Sequence, residues 1–342
     1  MIVKSAFKNN IVVLGCGNVV EDRILLALRS LAREGEIGHV TYCDVLPTAP
    51  FKLIETNQFE TYLPMEGKEI PLKALNERGF VGANTILLVC TPTSFHGKYA
   101  LDAFGRFGRI AVEKPLTLDP IEARGLLRFS DSVYAIGHQM HKKSMLDLID
   151  RFAQKITLIE NIARIEFDLF ETKGVGQRQI DPALWDLGFH GLECILAPLT
   201  VQSTSTRFQI ESVFEGHYTS DEGDASQSTV ARIDGWVHSE DRLIPFLIRV
   251  GKGQPENEKS LRFLSADGTL IDGADLNESG YAAHERIIQE LLKPAPKMGL
   301  ALTEVVHVVE SCHHAAQISI PMGTHPMGEA PAWLSTHELP VT

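Results

Sequence analysis

The sequence predicts an α/β protein: a doubly wound parallel sheet in the N-terminal third, then an α+β domain built on a mostly antiparallel open sheet. Three observations carry this expectation. Short apolar runs alternate with segments of helical spacing up to about Ser130. The first of those runs, "NIVVLGCGN" from Asn10 to Asn18, feeds straight into a Gly-x-Gly turn. Beyond Ser130 the alternation gives way to a series of extended runs.

Taken in order, "IVVLGC" is a continuous apolar strand. "EDRILLALRSLAREG" then sets Ile24, Leu25, Leu28 and Leu31 at helical spacing before Gly35 ends the helix. "HVTYCDV" and "TILLVCTPT" are the next strands, "YALDAFGRFG" is a helix, and "RIAVEKP" is a further strand. Such alternation closes by right-handed crossovers into a parallel sheet of the Rossmann kind, which binds nucleotides at the carboxyl ends of its strands. Helical "HKKSMLDLIDRFAQ" opens the second domain. The extended runs "NIARIEFDLFE", "RFQIESVFEGHYT", "STVARIDGWVHS", "RLIPFLIRVGKG" and "SLRFLSADGTLI" follow, the last with an Asp267-Gly268 hairpin signal. The helices "YAAHERIIQELL" and "LTEVVHVVESCHHAA" come next, and the Pro/Gly-rich stretch after Pro321 reads as irregular. The expected division is a nucleotide-binding domain over 1–130, a second domain over 131–330 whose sheet also serves oligomerisation, and a tail over 331–342.

Composition narrows the partners. At 342 residues the chain is longer than one typical domain, and its 44% hydrophobic content supplies an ordinary core. A formal charge of −12 argues against nucleic acid or an anionic membrane as partner. No apolar run approaches the roughly 20 residues of a membrane helix. Cys16, Cys43, Cys90, Cys194 and Cys312 form no CxxC pair, and odd single thiols in apolar patterns point to a reducing compartment. The opening "MIVKSAFKNN" carries no signal-peptide pattern, so the expected location is the cytoplasm.

The chemistry-bearing residues lie at strand ends. Gly15 permits a tight turn, and Gly17 lets the backbone of Gly17, Asn18 and Val19 approach a pyrophosphate at the helix start; the third glycine of GxGxxG is missing. Asp44 ends the second strand, where a carboxylate accepts both ribose hydroxyls and repels a 2′-phosphate. No arginine follows in "CDVLPTAPFK", so NAD is expected rather than NADP. Glu113-Lys114-Pro115 closes the strand "RIAVEKP". In "WDLGFHGLE", Asp186 and His190 stand four apart and so share one helix face.

"TPTSFHGKYALDAFGRFGRIAVEKPLTL" resembles the glucose–fructose oxidoreductase/inositol dehydrogenase (Gfo/Idh/MocA) family, with its Thr-Pro…His run, helix and Glu-Lys-Pro. "DLGFHGLE" looks like that family's Asp-x-Gly-x-His helix. The resemblance implies that Thr91, Pro92, His96 and Glu113 lie along the cofactor, and that Lys114, Asp186 and His190 face the reacting alcohol. A second resemblance overlaps the first. "GNVVEDRILLALRSLAREG", "VYAIGHQMHKKSMLDLI", "EGHYTSDEGDASQSTVARIDGWVHSEDRLIPFLIRVGKG" and "AAHERIIQELL" are similar to stretches of glucose-6-phosphate dehydrogenases. Where that family sets an aspartate against its catalytic base, this chain has Gly137. The family's phosphate-holding pair has counterparts in His138 and Lys142, which at four residues' separation on one helix face would make an anion clamp.

These residue types assign roles. His190 has the near-neutral basicity needed to withdraw a hydroxyl proton, Asp186 would orient its ring, and Lys114 would favour the developing alkoxide. Arg178 in "KGVGQRQID" and Lys252 in "RVGKG" are candidate substrate contacts. His307, His313 and His314 lack a completing carboxylate or thiol, so no metal is expected and helix packing accounts for them. Trp236 and Phe246 read as core or subunit interface. The expected protein is an NAD-dependent dehydrogenase oxidising a hydroxyl of a sugar, favouring a sugar phosphate such as glucose 6-phosphate, and assembling as a homo-dimer or homo-tetramer. The alternatives are a dehydrogenase of an unphosphorylated sugar, cyclitol or nucleotide sugar, and, from another class, a non-catalytic NAD-binding regulator.

Overall fold

The computed structural model describes residues 8–50, 59–155, 157–172, 181–201, 203, 205–220, 223–224, 229–253, 257–326 and 331–335. The chain forms two compact units, one from residues 1–141 and 279–306, the other from 142–278 and 307–342. The backbone thus changes unit three times, whereas the sequence reading had one crossing near residue 130.

The first unit holds a six-stranded sheet, all parallel: β1 (Asn9–Leu14), β2 (Ile37–Asp44), β3 (Glu60–Pro64), β4 (Gly82–Val89), β5 (Phe107–Glu113) and β6 (Val133–Ile136). Their spatial order is β3-β2-β1-β4-β5-β6. The order reverses between β1 and β4, the switch point at which such sheets open a crevice at their carboxyl ends. Ile11 to Leu14 are wholly buried, as a central parallel strand covered on both faces requires. Helices α1 (Leu25–Arg33), α2 (Leu72–Glu77), α3 (His96–Ala103) and α4 (Pro120–Leu126) make the crossovers. Gly35, in the left-handed region at φ 74°, ends the first of them as its sequence predicts.

A late helix completes this core. Numbering the remaining helices in chain order gives α5 (Lys143–Gln154), α6 (Thr157–Glu160), α7 (Phe189–Thr200), α8 (Gly280–Leu292), α9 (Leu302–Ile318) and α10 (Ala332–Ser335). The apolar stripe of α8, Ile287, Ile288 and Leu291, packs into one cluster with Ile24, Leu28, Ile11 and Val13. Arg109 of β5 closes its far end by donating to the Leu291 carbonyl at 2.6 Å. The stripe was legible in sequence, but its partner lies far upstream and nothing local names it.

The second unit carries an eight-stranded mixed sheet ordered β13-β12-β7-β11-β10-β8-β14, with β9 on β8. Its strands are β7 (Arg164–Glu171), β8 (Arg207–Ser220), β9 (Gly223–Asp224), β10 (Val230–Ser239), β11 (Arg242–Lys252), β12 (Glu258–Leu264), β13 (Leu270–Asp275) and β14 (Ser319–Pro326). Five of its pairings are antiparallel; β11 with β7 and β14 with β8 are parallel. The Asp267-Gly268 turn joins β12 to β13, with Gly268 at φ 83°. The stretch after Pro321, read as irregular, is instead the edge strand β14. A proline is tolerated there because an edge strand has one neighbour, and the register slips between Pro321 and Thr324. Part of the expected tail also docks: Trp333 and Leu334 of α10 pack on Phe214 and Val230, and Arg232 donates to the Trp333 carbonyl at 2.7 Å. No helix among the described residues is long and apolar enough to cross a membrane.

Candidate functional site

In the first unit the candidate residues collect at the carboxyl ends of β1, β2, β4 and β5. Gly15 is held at φ 85°, and a Cβ there would stand 2.6 Å from the Cys90 carbonyl oxygen, so two causes demand glycine. Gly17 differs. It is exposed, and a Cβ on it would meet nothing within 4 Å among the described residues, so no packing there explains its missing side chain. Open space over a turn that enters a helix is the condition under which a pyrophosphate can reach the backbone. Where a third glycine would stand, Val20 is buried and begins a π-helical turn, Val20–Ile24, before α1.

Asp44 stands beside this turn. Its Oδ2 accepts the Cys16 N–H at 2.6 Å and its Oδ1 accepts the Leu46 N–H at 3.1 Å, fixing the carboxylate at the end of β2. The two following side chains, Val45 and Leu46, are exposed. Across the switch point, Thr91 and Pro92 follow β4, and the Thr91 hydroxyl is buried with no hydrogen-bond partner among the described residues. His96, also buried, spans two turns: Nε2 lies 2.7 Å from the Thr91 carbonyl and Nδ1 lies 2.8 Å from that of Pro115.

Glu113 is buried at the end of β5. Its Oε1 takes a hydrogen bond from His284 of α8 at 2.9 Å, and its Oε2 takes the main-chain N–H of Lys114 at 3.2 Å. Burial pushes the Glu113 carboxyl up, but the His284 hydrogen bond and the positive charges of His284, Lys114 and Arg23 outweigh it and leave it below its ordinary value. The Lys114–Pro115 peptide bond is cis.

His138 and Lys142 do not share a helix face. Residues 137–142 form tight turns, with Met140 N–H on the Gly137 carbonyl and His141 N–H on that of His138, and α5 begins only at Lys143. His138 belongs to the first unit, with Nε2 3.3 Å from Arg23 and its ring stacked on His284 at 5.5 Å. A guanidinium only donates, so this nitrogen carries a lone pair and the ring is neutral in this arrangement. Lys142 belongs to the second unit. It is 2% exposed and its ammonium donates to the Leu276 carbonyl.

In the second unit α7 is buried all round. Glycines let it lie close on the sheet: a Cβ on Gly191 would stand 2.9 Å from two Ile248 atoms, and one on Gly188 would stand 3.1 Å from Ile233 Cδ1. His190, 1% exposed, is thereby fixed in a dry setting with Nδ1 3.4 Å from the wholly buried carboxylate of Glu193. The pair is in ion-pair range without meeting hydrogen-bond geometry, so the carboxylate acts on the ring through its charge. Asp186 lies in a π-helical turn, Leu184–Gly188, and forms an ion pair with Lys252 of β11, so two candidates from separate motifs come together. Arg178 lies outside the described residues. Sequence reasoning passed over Glu193, although its spacing three beyond His190 was a signal, and it passed over Arg23 and His284, whose partners are distant. His307 accepts the Phe208 N–H at 3.0 Å.

A six-stranded parallel sheet in this order, with a glycine turn at its switch point, has the doubly wound architecture whose switch point is a nucleotide-sized crevice, and the second unit adds a mixed sheet, giving a two-domain α/β fold. No protein-family model matches the sequence, and no curated protein matches it. Solved structures do resemble it over nearly the whole chain. A glucose-6-phosphate dehydrogenase in complex with its substrate glucose-6-phosphate is 14% identical, with a TM-score of 0.70, covering 98% of this chain and 97% of that one. GenD2 from gentamicin A biosynthesis, in complex with NAD, is 16% identical with a TM-score of 0.70, covering 92% and 95%. KijD10, a 3-ketoreductase from Actinomadura kijaniata in complex with NADP and TDP-benzene, is 13% identical with a TM-score of 0.65, covering 92% and 99%. At such identities the likeness is one of fold.

Proposed function

We propose that this chain is an NAD-dependent oxidoreductase acting on a hydroxyl of a sugar or sugar derivative. The observation that carries the reading is the turn from Gly15 to Gly17. It lies at the switch point of the parallel sheet, beside a fixed Asp44, with open space over Gly17 where packing alone would tolerate a side chain. Main-chain N–H groups at the start of the helical segment would hold a pyrophosphate, and Asp44 would take the ribose diol and repel a 2′-phosphate. When bound, a nicotinamide supplies the hydride acceptor. The chain's own work is the proton: His190 would withdraw it from the hydroxyl, Lys114 would hydrogen-bond the oxygen and favour its negative charge, and Asp186, with Lys252, would shape the charge around the base.

Of the similar structures, the glucose-6-phosphate dehydrogenase holds a sugar phosphate and the 3-ketoreductase KijD10 holds NADP with TDP-benzene, which supports a carbohydrate substrate. Between a phosphorylated and an unphosphorylated sugar, cyclitol or nucleotide sugar, one observation favours the latter group. Lys142, the expected phosphate contact, is buried and bonded to a carbonyl. The test is a panel of sugars, sugar phosphates and nucleotide sugars with NAD and NADP, read as absorbance of reduced cofactor. Turnover of a phosphate that Lys142→Ala weakens mainly through KM would restore the clamp reading. Cofactor binding without turnover of any member would favour the regulator.

A further inference from the structure

Lys114 is gripped from both sides by histidines that no proton-handling role employs. On the preceding side, one oxygen of Glu113 accepts the Lys114 N–H and the other accepts His284 Nε2. The Lys114 amide is the last donor at this strand end, because Pro115 has none and the β5 pairings stop at Glu113. On the following side, the Pro115 carbonyl is tied to His96, whose other nitrogen reaches Thr91 at the end of β4. His284 is itself held. Its Nδ1 lies 2.7 Å from the Gly280 carbonyl, and its ring stacks on His138, which Arg23 fixes in turn. With a carbonyl on one nitrogen and a carboxylate on the other, the ring satisfies both only as imidazolium. A Cβ at Gly280 would stand 2.8 Å from Arg23 Nε, so a side chain there would displace that guanidinium.

We propose that His284 and His96 are positioning residues for Lys114, acting through the Glu113 carboxylate and the Pro115 carbonyl respectively. The strand-end lysine is then set by a helix that joins the sheet from late in the chain and by the first turn of α3. This gives His96 and Glu113 structural tasks in addition to the cofactor contacts expected from sequence. The catalytic consequence rests on the function proposed above; the positional claim does not.

Two measurements on the full chain keep these apart. Amide exchange of Lys114, followed by NMR, should speed by about tenfold or more in His284→Phe and in Glu113→Ala, the size expected for a lost charged hydrogen bond of about 1.5 kcal/mol. Exchange at Ile110 and Ala111 should stay as in the parent. Given a substrate, His284→Phe should lower kcat by about tenfold while leaving KM for NAD within about threefold, and its effect should vanish in a Lys114→Met background. His284→Gln, which keeps a donor, should recover part of the loss. An unchanged Lys114 exchange rate in folded His284→Phe, or in Glu113→Ala should that variant alone fold, would overturn the proposal. So would full additivity with Lys114→Met. A wild type inactive on every substrate would overturn the dehydrogenase reading instead, with the exchange measurement still deciding the positional claim.

Discussion

His190 is the residue on which the proposed chemistry turns, and its surroundings fix what a substitution does. Exchange for asparagine removes the base but keeps a polar group of smaller size beside Glu193. We expect His190→Asn to leave NAD affinity near normal and to cut kcat by roughly 100-fold or more, the scale of lost general-base catalysis. Pre-steady-state kinetics that show a normal chemical step would make another residue the base. Glu193 enters the same account: wholly buried and 3.4 Å from Nδ1, its charge would favour the imidazolium that forms when the base takes a proton. In the proposed function Asp44 sets the cofactor preference. Asp44→Ser with Val45→Arg removes the repelling carboxylate and adds a cation, so the ratio of kcat/KM for NAD over NADP should fall toward or below one. A wild-type preference for NADP would contradict the assignment.

At the level of elements, α7 shows how glycine sets the distance between a helix and a sheet. Gly191→Ala forces a methyl against Ile248 and Phe167. Overpacking of this kind costs about 1–3 kcal/mol, and the better helix propensity of alanine returns up to about 1 kcal/mol. Urea unfolding should therefore show net destabilisation, partly recovered by adding Ile248→Val, which removes one of the two Ile248 atoms that stand 2.9 Å away. A stabilised Gly191→Ala would mean the helix can shift freely. The elements themselves were legible wherever the signal is local. The apolar strands, the Gly35 stop and the Asp267-Gly268 hairpin depend on residues a few positions apart. The short strands "ETYLP" and "VYAI" gave too few residues for a period, and β14 was hidden by Pro321, Gly323 and Pro326. The helix face assumed for His138 and Lys142 failed because Lys142 is extended at the helix cap (φ −68°, ψ 143°). No spacing rule could pair His284 with Glu113.

For the whole molecule, acid sensitivity follows from buried imidazoles. His141 is 4% exposed, its Nδ1 donates to the Gly137 carbonyl at 3.0 Å, and its Nε2 has no hydrogen-bond partner among the described residues. Burial pushes its pKa from 6.5 down to about 4. The unfolded chain therefore takes up this proton first. Stability is complete above about pH 6.5, falls as pH drops toward 4, and loses on the order of 3 kcal/mol from this group. His39 and His307, also lowered by burial, act in the same direction. Denaturant melts of His141→Gln should show a shallower decline over that range; an unchanged slope would remove His141 from the account. The central claim is that the Gly15–Gly17 turn beside Asp44 is a dinucleotide cradle, and its most direct test is cofactor binding by the wild type and Gly17→Ala. We predict saturable binding of NAD by calorimetry, and loss of at least about tenfold in affinity in Gly17→Ala with an unchanged melting temperature, because that methyl meets no atom of the described residues. Failure of the wild type to bind either NAD or NADP, or equal affinity in Gly17→Ala, would contradict it.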